Sequence, residues 1–153
     1  MGAIDSPYEA FAEALRGGAF GIPVNPGAWP AELIAAHVIM NNDLLTEAVR
    51  EVKAGSVPTY DGTPTQDGRL LRELLIRTGS LRELADEVER SASDLQAAYD
   101  QLDEQQRRVS VPTRILHEGE VVVDGPRTIG DLVEVNAATH LDDHLQQLVD
   151  LRD

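Results

Sequence analysis

Cysteine is absent from the 153-residue sequence. That excludes disulfides, thiolate metal ligands and a cysteine nucleophile. Lysine is nearly absent: Lys53 stands alone against twelve arginines, which argues against a lysine Schiff base. Aromatic residues are few (Tyr8, Phe11, Phe20, Trp29, Tyr60 and Tyr99), so a core must be built from Leu, Val, Ile and Ala. Positive charge is scarce as well. With 13 Lys and Arg against 27 Asp and Glu, the formal net charge is −14. Nucleic-acid binding needs clustered cations to neutralise phosphates, and anionic membrane surfaces attract the same residues, so neither partner is expected. No apolar run reaches the length of a membrane span, and the N-terminus has no basic-then-apolar signal pattern. These exclusions leave a cytoplasmic protein, read as one domain over residues 1–153, with a small molecule as its expected partner.

What is present is mostly helical patterning. "SPYEAFAEALRGG" opens with Ser6 as N-cap, Pro7 in the first turn and Glu9 completing a capping box, and stops at Gly17 and Gly18. A connection carrying Pro23 and Pro26 follows. Pro30 starts a long helix that runs to Gly55, and residues 56–66 read as a loop. A shorter helical segment begins at Gly68. Ser80 and Glu83 form a second capping box, and the helix they open is expected to continue to Arg108. "VSVPTRIL" and "EVVVDGP" flank "HEG" and are rich in β-branched residues, which predicts a short hairpin. Thr128 caps the last helix, expected to run to the C-terminus. The predicted fold is all-α: an up-and-down four-helix bundle with a short β-hairpin in the crossover before the last helix.

The chain has four histidines, and two of them, His140 and His144, are four residues apart in "HLDDHL". On a helix that spacing puts both rings on one side, one turn apart. The apolar residues Ile129, Val133, Ala137, Leu141, Leu148 and Leu151 form an arc that contains both, so the pair faces the interior. His37 lies inside the corresponding arc of the second helix, with Asn41 one turn later. One inward histidine is ordinarily a packed, hydrogen-bonded core residue. Three inward imidazoles carry a desolvation cost on the order of 1–3 kcal/mol for each unsatisfied group. A divalent cation removes that cost, since each ring then needs one acceptor for its remaining N–H. Imidazole suits Zn, Ni, Cu and Fe rather than Ca or Mg, and three protein ligands leave a coordination position open. His117, in the turn "LHEGE", reads as an exposed turn residue outside the site.

"WPAELIAAHVIMNNDLL", the proline-containing hairpin "VPTRILHEGEVVVDGPRTIGDLVE" and "HLDDHLQQL" together resemble the DinB/YfiT-like superfamily of metalloenzymes. More narrowly, they resemble the N-terminal domain of mycothiol-dependent maleylpyruvate isomerases. The resemblance covers nearly the whole chain. It implies a four-helix bundle in which His37, His140 and His144 hold one divalent metal, zinc or nickel. In the isomerases the first position of the C-terminal pair is a glutamate; here it is His140, the all-histidine pattern of the wider superfamily.

The activity implied is use of a low-molecular-weight thiol, mycothiol, for S-transfer to, or isomerisation of, a small electrophile. An arginine-rich, lysine-poor sequence suits an actinobacterial source of that thiol. The competing readings are metal-dependent hydrolysis and a non-catalytic metal- or ligand-binding module. Around the ion, Asn41 either orients a bound water or thiol or bonds the neighbouring helix. Asp43 is an exposed helix residue with a lesser candidacy beside the ion, and Arg114 on the hairpin is a candidate to meet an anionic substrate. Trp29 is expected to staple the start of the second helix. A monomer and a homodimer both remain open.

Overall fold

Asp67, Ser80, Asp103 and Thr128 each accept hydrogen bonds from backbone N–H groups two or three residues ahead, and each opens a helix. Satisfying those otherwise orphaned donors is what makes such side chains start signals. The computed structural model describes residues 5–21, 23, 29–117, 120–137 and 141–151. Within them the chain is mostly helical with a small three-stranded sheet. The helices are α1 (Asp5–Arg16), α2 (Ala31–Lys53), α3 (Gly68–Thr78), α4 (Leu81–Asp100), α5 (Glu104–Arg107), α6 (Ile129–Val135) and α7 (Leu141–Asp150). The strands are β1 (Tyr60–Asp61), β2 (Ser110–His117) and β3 (Glu120–Thr128).

Several boundaries differ from the sequence reading. The helix expected to reach Arg108 ends at Asp100, and Asp103 restarts the chain as α5 through a capping box with Gln106. An aspartate that can reach an N–H three residues on competes with helix continuation even where no Gly or Pro intervenes. The segment 56–66, read as a loop, contains β1 and a 3₁₀ turn at Thr63–Gln66. The last helix is not uniform: α6 gives way at Asn136 and Ala137 to a wider π-type turn before α7. α1 opens at Asp5, ahead of the expected Ser6 cap.

The strand order is β1-β2-β3. β1 runs parallel to β2, with Tyr60 beside Thr113 and Asp61 beside Arg114. β2 and β3 are antiparallel, Ser110 opposite Thr128 and His117 opposite Glu120, with a register shift between Ile115 and Leu116. Pro112 lies directly opposite Pro126. Neither has an N–H to exchange, so this pair is of the wide type, and the missing donor of Pro126 faces away from β2.

Helix directions follow from paired residues. Asn42 bonds Ser91 and Lys53 bonds the carbonyl of Gln101, so both chains advance together and α2 is parallel to α4. Asn41 bonds Asn136 and His37 meets His144, so α6 and α7 run opposite to α2. Tyr8 bonds Asn42, which bonds Ser91, while Arg16 further along α1 bonds Asp86 and Glu89, so α1 runs opposite to α2 and α4, in the direction of α6 and α7. The strict alternation of an up-and-down bundle is therefore corrected. The segment 54–80, with β1, the 3₁₀ turn and α3, carries the chain back so that α4 repeats the direction of α2.

Phe11, Leu15, Ile34, Leu45, Leu84 and Leu148 are among the fully buried side chains of the hydrophobic cluster between these helices. Each such side chain stabilises the fold by about 1.5–3 kcal/mol relative to exposure. Arg16 ties α1 to α4 through Glu89 and Asp86, at 2.5 and 2.7 Å. Among the described residues no helix is long and apolar enough to cross a membrane.

Candidate metal centre

α2 buries one continuous stripe, and His37 sits in it with only 2% of its surface exposed. Its Nδ1 lies 2.8 Å from the carbonyl oxygen of Thr65. An oxygen of this kind only accepts, so Nδ1 carries the hydrogen and Nε2 keeps the lone pair. The Thr65 carbonyl is held in place by the 3₁₀ turn. The Thr65 hydroxyl donates to the Gly62 carbonyl at 2.6 Å, and the Gly62 N–H donates to the Arg114 carbonyl on β2 at 2.8 Å. The sheet thereby fixes the tautomer of a histidine on α2.

His144 on α7 is also buried, at 7% exposure. Its Nδ1 donates to Oε1 of Gln147, one turn on, at 2.8 Å, so Nε2 is again the lone-pair nitrogen. Burial lowers its pKa, the Gln147 and Asp143 side chains pull the other way, and the neighbouring His117 side chain adds to the lowering. The ring is therefore neutral at pH 7, the form that binds metals. The rings of His37 and His144 meet edge to face, centroids 4.7 Å apart and planes at 68°. Two imidazoles from opposed helices, each with its Nδ1–H committed to an oxygen, have the donor chemistry and outer hydrogen bonding of metal-ligating histidines.

His140 lies outside the described residues. Among the described residues, no group of three His, Cys, Asp or Glu side chains is gathered as a metal would require. Trp29 has its ring centroid 5.4 Å from that of His37, tilted by 54°. It therefore flanks the site as well as packing at the start of α2. His117, read as outside the site, is exposed at the end of β2, yet it is near enough to influence His144.

Asn41 is buried one turn from His37 and bonds its neighbours. Its Nδ2 donates to Oδ1 of Asn136 at 2.5 Å, and its Oδ1 accepts from the Tyr60 hydroxyl. Nδ2 of Asn136 donates to the Tyr8 hydroxyl at 2.6 Å, which donates to Oδ1 of Asn42 at 2.7 Å. Nδ2 of Asn42 donates to Ser91 Oγ at 3.0 Å, which donates to the Val88 carbonyl. Six hydrogen bonds thus run in one direction through the interior. Burial pushes both tyrosine hydroxyls well above their ordinary pKa, so both stay protonated donors.

Asp43 is half-exposed and paired with Arg90 of α4 at 3.4 Å. The two shifts in this pair differ in meaning. Asp43 is raised, mainly by burial and despite Arg90, which marks a disfavoured carboxylate. Arg90 is raised against its own burial because Glu87, Asp43 and Asp94 all surround it. One guanidinium shared among three carboxylates explains both. Arg114 is exposed on β2 beside Asp61, whose carboxyl is lowered first by hydrogen bonds from Thr63 and also by Arg114.

The partners that sequence reasoning missed are Thr65, Gln147, Tyr8 and Asn136. Gln147 had a readable signal, the His-x-x-Gln spacing on one helix face. Thr65 had none, since a backbone carbonyl carries no side-chain signature. Comparison with curated proteins finds no match, nor does comparison with solved structures. A comparison with protein families matches residues 7–148 to the DinB superfamily, and the chain belongs to that superfamily.

Proposed function

We propose that His37 and His144, joined by His140, hold one divalent ion, zinc or nickel, in a single four-helix domain of the DinB/YfiT type. The proposed activity is use of a low-molecular-weight thiol of the mycothiol kind for S-transfer to, or isomerisation of, a small electrophile, as in the maleylpyruvate isomerases that the sequence resembles. The observation that carries the metal reading is the His37–His144 pair, with both Nδ1 atoms bonded to oxygen. The spacing in sequence supports the third ligand. Four residues back from Asn41 is His37, and four residues on from its partner Asn136 is His140.

Bound there, the ion would supply Lewis acidity, lowering the pKa of a thiol from about 8.5 or polarising an oxygen. The chain's own residues hold two nitrogen donors in fixed tautomers and keep both rings buried. Trp29 provides an aromatic wall against His37. With no cysteine in the sequence, the reacting sulfur comes from the cosubstrate.

The test is elemental analysis of protein purified without a histidine tag, followed by incubation with mycothiol and a panel of electrophiles. About one zinc or nickel per chain and a thiol adduct or isomerised product are expected. Hydrolysis products without thiol dependence would overturn the thiol part, and a metal-free protein that takes up no ion would overturn the whole.

A further inference from the structure

We propose that Asn41 and Asn136 are positioning residues for the His37–His144 pair. Their buried amide–amide hydrogen bond sets how far α2 and the α6–α7 run are slid along one another. The inference rests on reading that pair as metal ligands and adds what brings the two rings together.

Asn41 follows His37 by one turn on the same face of α2. Asn136 stands where α6 stops being an ordinary α-helix and enters the π-type turn. Such a turn shifts the faces of all later side chains, and π-turns recur at functional sites. The bond from Asn41 therefore grips the last run at the point where its helical phase changes. His144, which follows on α7, meets His37 one turn before Asn41 on α2.

Direction in the hydrogen-bond chain makes the register unique. Each amide accepts through its oxygen and donates through its nitrogen, from Tyr60 at one end to the Val88 carbonyl at the other. Sliding the last run by one turn, about 5.4 Å, would break the Asn41–Asn136 bond and separate Asn136 from Tyr8. Buried amides without partners are strongly disfavoured, and a single buried asparagine fixes register in coiled coils by the same penalty. The apolar stripes, Ala, Ile, Val and Leu on α2 and Leu141 and Leu148 on α7, make contacts that are not directional in the same way.

The experiment compares Asn136→Leu with Ser91→Ala, which breaks the same chain at its far end. Two readouts are needed besides melting temperature. One is the ring-to-ring nuclear Overhauser contact between His37 and His144 in metal-free protein with labelled histidine. The other is zinc affinity by competition with a chromophoric chelator. Both variants should melt at lower temperature. Asn136→Leu should lose the ring contact and weaken zinc binding by about 10–100-fold, the usual effect of disturbing support around a metal ligand. Ser91→Ala should retain both. The proposal is overturned if Asn136→Leu keeps the ring contact and its affinity, or if Ser91→Ala loses them equally. Should Asn136→Leu not fold, Tyr60→Phe removes one hydroxyl and no bulk; it should weaken zinc by about tenfold, and unchanged affinity would overturn the proposal. Wild-type protein that binds no zinc refutes the metal reading alone, because the ring contact in metal-free protein still tests positioning.

Discussion

Trp29 lies against His37, ring centroids 5.4 Å apart. It is the only tryptophan in the sequence, so its emission reports this one place. Titrating nickel into metal-free protein is expected to quench that emission to a one-site plateau, and a chelator should restore it. Emission indifferent to nickel, in a protein shown by elemental analysis to have bound it, would put the ion elsewhere.

Removing a ligand and removing its support should differ in degree. His144→Ala is expected to abolish stoichiometric metal binding. Gln147→Ala keeps the ring but removes the oxygen that fixes its tautomer, and should weaken affinity by about 10–100-fold. Chelator competition on both variants measures the difference. Equal losses would mean that Gln147 does more than orient the ring.

The Tyr8 hydroxyl both accepts from Asn136 and donates to Asn42 in the interior. Tyr8→Phe leaves two buried amide groups short of a partner, so a loss of about 1–3 kcal/mol is expected. Urea unfolding gives the value. A loss below a few tenths of a kcal/mol would show that the neighbours find other partners.

Asp43 offers a pH test. Its folded pKa is raised, chiefly by burial, so the folded protein holds this proton more tightly than the unfolded chain does. Its contribution therefore favours folding as pH falls, and its cost is present in full above the folded value. Asp43→Asn should be neutral or slightly stabilising at pH 7, within about 1 kcal/mol, given the half-exposed pair it gives up. It should also flatten the stability profile across the carboxylate range. A clear loss of stability at pH 7 would mean that the ion pair with Arg90 outweighs burial.

The helical periods that put His37 and His144 on buried stripes were legible because a 3.6-residue repeat of Leu, Ile, Val and Ala survives any choice of loop. Ser80 and Thr128 were legible as caps because their signal is local. The parallel course of α2 and α4 was not. It goes with contacts between distant residues, Asn42 with Ser91 and Tyr60 and Asp61 with Thr113 and Arg114, and local propensity carries no information about such pairings. Nor was the tautomer of His37, set by a carbonyl whose position depends on the same sheet. Asn41 was legible as buried, and its sequence position left open whether it served a ligand or a neighbouring helix. The bond to Asn136 shows it joined to the neighbouring run.

Proline opposite proline in the β2–β3 ladder reaches beyond the sheet itself. The outer rim of β3 lacks a donor at Pro126, and the register shift further along disturbs its regularity. An incoming strand would find an interrupted row of hydrogen-bonding groups, which protects the rim against fibril-like growth at high protein concentration. If two copies of this chain associate, their meeting surface is better sought on the helical flanks.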